Sequence, residues 1–108
     1  MGKYAHRYNI SILETSDFVK MVFNSSQDID VYISYSLKCV GTVVNGLYDY
    51  YTKVTANTSL SIVLAVGSSK GFNVAIYSSS PDIKAYYSLD IVHGNCFIIF
   101  FQKFSRIF

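Results

Sequence analysis

From Ile29 to Leu37 apolar and polar residues alternate without a break. Ile29, Val31, Ile33, Tyr35 and Leu37 fall on one side, and Asp30, Tyr32, Ser34 and Ser36 on the other. A period of two marks a strand with one buried face, because successive side chains project to opposite sides. The pattern recurs along nearly the whole chain, and no segment shows a comparable helical period.

About eight strands follow from this pattern. Residues 7–13 carry Tyr8, Ile10 and Ile12 on one face, and residues 18–23 carry Val19, Met21 and Phe23. After the turn NSSQD (24–28), the run from Ile29 is expected to continue through Cys39 to Val44, with a bend at Gly41. Asn45-Gly46 between two apolar stretches predicts a two-residue type I′ hairpin, since both central positions need positive φ. A fourth strand runs through Tyr48, Tyr50 and Tyr51 to Val54. The fifth, 59–66, alternates Leu60, Ile62, Leu64 and Val66 with serines. Beyond the loop GSSKG (67–71), Phe72, Val74 and Ile76 define a sixth strand. Past Pro81, Ile83, Ala85, Tyr87, Leu89 and Ile91 define a seventh, and His93-Gly94-Asn95 is expected to form a tight turn.

The last segment differs. From Cys96, Phe97-Ile98-Ile99-Phe100-Phe101 is apolar on both faces, and Phe104, Ile107 and Phe108 extend that character. A strand apolar on both sides is expected to be covered on both sides. Either this end folds back over its own sheet, or it docks into a neighbouring copy or another protein. Left open, it would be an aggregation hazard.

Turns of Gly, Ser and Asn between evenly spaced short strands point to a single all-β domain over residues 1–108. The expected architecture is an antiparallel β-sandwich, jelly-roll-like or immunoglobulin-like, with a small β-barrel as the alternative. A chain of 108 residues can bury enough apolar surface to fold without metal or disulfides.

Composition sharpens the functional side. Hydrophobic residues make up 51%, aromatic residues 17% and charged residues only 15%, where roughly 25% charge is usual. Ser, Thr, Asn and Tyr stand in for the missing charge, and such a surface is poorly protected against association. The net charge of +2 is spread singly along the chain, which argues against nucleic acid. The longest apolar run, Cys96–Phe101, is far short of the ~20 residues of a spanning helix. No signal peptide is visible at the start of the sequence. A virion or an extracellular surface suits this composition best.

Candidate chemistry is sparse. Cys39 and Cys96 are too few for a disulfide framework; they could form one bridge if their strands are neighbours, and are otherwise expected to behave as buried apolar thiols. Cys96 lies close to His93 and Asp90, but a tight turn would point these side chains apart, so His93 is expected to be a turn residue and not part of a nucleophile set. Asp28 and Asp30, helped by Asp82, could approach a Ca²⁺, although acidic residues beside a turn usually guard a strand edge. GSSKG lacks the spacing of a phosphate loop, and the carboxylates form no recognisable acid–base pair. No catalytic residue, cofactor site or metal site is assigned. Sequons begin at Asn9, Asn24 and Asn57.

Tyrosines are expected at outward positions, among them Tyr32, Tyr77 and Tyr86, where a flat ring with a polar tip suits an interface or a sugar. The expectation is therefore a non-enzymatic structural or assembly protein: a subunit of a homo-oligomer, or a virion, capsid or appendage component. Its interface residues would be Tyr32, Tyr86, Phe100, Phe101, Phe104, Ile107 and Phe108. The alternative is a lectin-like or small-ligand-binding β-sandwich with a carbohydrate ligand, its site on a tyrosine-bearing face or the loops 24–28, 67–71 and 78–82.

Overall fold

The computed structural model describes residues 5–12, 16–34, 49–65, 71–79 and 84–107. Their alternating segments form eight strands: β1 (Ala5–Ser11), β2 (Phe18–Ser25), β3 (Ile29–Ser34), β4 (Tyr50–Val54), β5 (Ser59–Ala65), β6 (Gly71–Ser78), β7 (Tyr86–Gly94) and β8 (Ile99–Ile107). They build two antiparallel four-stranded sheets, in the orders β1-β6-β3-β4 and β5-β2-β7-β8. The sheets are not closed into a barrel, so the architecture is the sandwich. The pair β3–β6 is nested within β2–β7 along the chain, and the two pairs lie in opposite sheets.

One face of each sheet supplies the core. Phe23, Met21, Leu89 and Ile91 come from one sheet and Phe72, Ile76, Val31 and Ile33 from the other, all without solvent contact. Each such side chain contributes roughly 1.5–3 kcal/mol by leaving water. The connections are tied by side chains of the types that favour turns. Between β4 and β5, Asn57 adopts φ 59°, a left-handed conformation that Asn tolerates. Thr58 donates its Oγ1–H to the Thr55 carbonyl at 2.6 Å, and Asp28 Oδ1 accepts the Ala56 N–H at 2.8 Å.

Two strands depart from their sequence patterns. β6 alternates in hydrophobicity, yet all eight of its residues are buried. It lies between β1 and β3, and its outer-face residues Ala75 and Tyr77 join a second small cluster with Tyr32. β8 is apolar on both faces but is largely exposed on both, because it holds the edge of its sheet, paired among the described strands with β7 alone. Phe104 to Ile107 do not fold back over the sheet; they continue the β7 ladder.

His93 is likewise not a turn residue. It lies within β7, one residue before its end, at 4% exposure, and the turn begins two residues later, at Asn95–Ile98. The expected extension of β3 through residues 35–44, the Asn45-Gly46 hairpin, Tyr48, the serines of GSSKG, Pro81, Ile83 and Phe108 lie outside the described residues.

Candidate functional site

The β7–β8 hairpin is fixed by one glycine and one asparagine. The Asn95 N–H donates to the Ile98 carbonyl at 2.8 Å. Asn95 Oδ1 in turn accepts the N–H groups of Phe97 and Ile98 at 2.8 and 3.0 Å. Gly94 has φ +153°, and a Cβ there would lie 2.1 Å from the Ile98 carbonyl oxygen, so the chain can cross only with hydrogen at that position. Cys96 sits in this turn as a free, exposed thiol rather than a buried one. Phe97 beside it is 93% exposed.

Beyond the hairpin the ladder decides what β8 offers. The carbonyls of Gly94 and Tyr86 accept hydrogen bonds from Asp17 and Ser26, on the β2 side. Alternate residues of an antiparallel strand bond opposite neighbours, so the odd-numbered residues of β7 bond β8. Through the register, Phe100, Gln102, Phe104 and Arg106 bond β7, while Ile99, Phe101, Lys103, Ser105 and Ile107 turn their N–H and C=O groups to the open edge. No described strand pairs with β8 there.

Register also orders the outer face of this sheet. Val63, Lys20, Val92 and Phe101 form one cross-strand row, with Phe18 and Ile99 beside it at the hairpin end. Val63, Phe101 and Ile99 are 69%, 62% and 66% exposed, so this end is an apolar patch. At the other end Ser59, Asn24, Ser88 and Ser105 form a wholly polar row. That row floors an open groove of about 840 Å³, bordered by Tyr86, Arg106 and Ile107. Asn57 lines the same groove, so two of the three sequon asparagines meet there.

Between the sheets, at the edge shared by β1 and β8, polar groups are tied together. The Tyr87 hydroxyl is hydrogen-bonded to His6 Nδ1 at 2.7 Å and to the Tyr8 hydroxyl at 2.5 Å. Burial, reinforced by Tyr8, pushes the Tyr87 hydroxyl far above the usual phenol range, so it stays protonated. Burial and then the Arg106 charge hold His6 below its ordinary value. His93, lowered by burial, meets Ser16 Oγ at 3.3 Å and stacks on Phe100 with ring centroids 5.6 Å apart. Among the described residues, no three His, Cys, Asp or Glu side chains converge as metal ligands. Asp28 is occupied by Ala56 N–H and Lys53, and Asp30 by Tyr51 and Ser79; Asp82 lies outside the described residues.

The expected interface residues separate into groups. Phe100, Phe101 and Ile107 are exposed on β8, and Tyr86 is exposed beside Ile107. Phe104 is turned inward, with its ring 4.8 Å from that of Tyr8. Tyr32 lies on the outer face of the other sheet but is buried, between Tyr51 and Tyr77 at ring distances of 4.8 and 5.6 Å. Tyr77, expected outside, is buried with it. The alternation of β5 puts Val63 on the face of Ser59 and Ser61, but nothing local in the sequence singles out Phe97 and Ile99 as surface residues; apolar type alone does not separate an edge strand from a central one.

The fold and site define an antiparallel β-sandwich with an apolar edge strand that no described strand covers. The chain matches no protein-family model, and no curated protein or solved structure shows significant similarity to it.

Proposed function

We propose that this protein is a non-enzymatic assembly subunit that joins a neighbouring chain through the open edge of β8, as in a virion or appendage component. One observation carries the reading. A nine-residue strand presents backbone groups at Ile99, Phe101, Lys103, Ser105 and Ile107 that no described strand pairs, with exposed apolar side chains on the same strand. An exposed edge of this kind is a template for strand addition, where backbone hydrogen bonds give affinity and side chains give specificity. The low charge of the whole chain favours the same use. Lys103 is the one cation among the edge-turned residues and sets a limit on indiscriminate pairing.

Native mass spectrometry of the chain, with Lys103→Pro and Lys103→Ala beside it, tests the proposal. Lys103 bonds the edge side and not β7, so proline there leaves the β7 ladder intact while removing one outer N–H. The expected result is an oligomer for the parent chain and the alanine variant, and a folded monomer for the proline variant. A parent chain that stays monomeric at high micromolar concentration overturns it.

The polar groove supports a second reading, a carbohydrate-binding module. Asn24, Ser88 and Ser105 offer hydrogen-bonding groups to sugar hydroxyls, and Tyr86 offers a ring face. A glycan array probed with the parent chain and Tyr86→Ala separates the two: binding lost in the variant with unchanged oligomeric state favours this reading.

A further inference from the structure

The assembly reading leaves the neighbour unspecified, and any choice of neighbour rests on that reading. Gln102 is the central inward residue between Phe100 and Phe104, opposite Ile91 in the ladder. Its Oε1 is shut off from solvent and has no hydrogen-bond partner among the described residues. An acceptor in that state costs about 1–3 kcal/mol until a donor reaches it. Gln102 lies on an edge strand, so a turn of its side-chain amide brings that acceptor within reach of a donor on a strand added beside it.

We infer that the neighbour is a second copy of this chain, paired antiparallel β8 to β8 about a twofold axis at Gln102. Such an isologous contact is the commonest route to a closed oligomer. The axis is selected by three features. Backbone parity requires that edge-turned residues meet edge-turned residues. An axis at Gln102 does this, setting Phe101 opposite Lys103 of the second copy and Ile99 opposite Ser105 of the second copy. An axis at Lys103 also satisfies parity, but it brings two ammonium groups directly opposite, which is destabilising. An axis at Gln102 instead places Lys103 beside an aromatic ring, where its charge is attracted to the ring face. It also makes the two Gln102 side chains cross-strand neighbours at a non-hydrogen-bonded position, where side chains approach most closely. Each amide then donates its Nε2–H to the other's Oε1, and the orphaned acceptor is satisfied. On the same inward face Phe100 lies opposite Phe104 of the second copy. The product is a continuous eight-stranded sheet, made from two four-stranded ones.

Single-cysteine scanning tests the register. In a Cys39→Ser, Cys96→Ser background, cysteine is placed in turn at positions 101, 102, 103, 104 and 105, and the protein is oxidised in air with copper phenanthroline. A residue on the axis lies about 4.5 Å from its own copy at a non-hydrogen-bonded site, within disulfide range. Positions to either side lie progressively farther from their copies. The expected result is a covalent dimer formed fastest from Gln102→Cys. A second measurement does not depend on oxidation. Gln102→Glu sets two carboxylates face to face, so its dimer is expected to weaken at least tenfold from pH 4 to pH 7. Mixing it with Gln102→Lys should restore the dimer. Fastest cross-linking at another position overturns the axis while leaving β8 assembly standing. No cross-link anywhere, with a monomeric parent chain, overturns both.

Discussion

β6 and β8 invert each other. β6 reads as a half-polar strand, with Asn73 and Ser78 among its residues, yet it is buried on both faces; β8 reads as a two-sided apolar strand, yet both of its faces meet solvent. The difference is position in the ladder. β6 has a strand on each side and a buried tyrosine cluster over its outer face, whereas β8 has one neighbour among the described strands. Composition states what a strand could bury, and the ladder states what it does bury. Where the two disagree, the excess apolar surface is available to another chain.

Truncations in the two strands should give opposite results. Ile76→Ala, in the middle of β6, is expected to cost about 2–5 kcal/mol in urea unfolding, since Ile76 has no solvent contact. Phe101→Ser in β8, at 62% exposure, should change stability by no more than about 0.5 kcal/mol while abolishing the oligomer in native mass spectrometry. Equal destabilisation by both would dissolve the contrast. Between these extremes stands Gly94→Ala. The Ile98 carbonyl leaves no room for a methyl group, so the hairpin must distort, at about 1–3 kcal/mol. Loss of amide-exchange protection should be confined to β8 and the end of β7.

The subtlest probe uses His93, which β8 covers by stacking Phe100 on it. Burial lowers its pKa, so near its ordinary value of 6.5 the unfolded chain binds the proton and the folded chain does not. Its contribution to stability is therefore complete above about pH 6.5 and declines as pH falls toward the folded pKa. Phe100→Ser should open the imidazole to water, raise its NMR titration midpoint and flatten that decline. An unchanged midpoint would mean that β7 and its inner neighbours, not β8, shield the ring.

Much of the fold is written in the alternation. β2, β3 and β5 begin where the period of two begins, and the sandwich follows from one buried face per sheet. The candidate site is legible in the sequence only as chemistry. The apolar run Ile98–Phe101 and the residues Phe101 and Ile107 stand out in the sequence, but their exposure depends on β8 being last in its sheet, which is a long-range fact. Tyr32 shows the converse: its alternation correctly puts it opposite Val31 and Ile33, but nothing local reveals that Tyr51 and Tyr77 enclose it. His93 departs from expectation because the turn begins two residues later, at Asn95, and Gly94 serves a close backbone approach.

The nested pairing also governs how the chain comes to rest. Ala5 finds Tyr77, and Phe18 finds both Ala65 and Gly94, while only β3–β4 and β7–β8 join strands consecutive in the sequence. Loop closure must therefore precede most of the favourable contacts, and such topologies fold on the millisecond-to-second scale. Throughout that interval the inner face of β2 (Val19, Met21, Phe23) waits for strands made much later in the chain. The molecule is thus most adhesive before its core has closed.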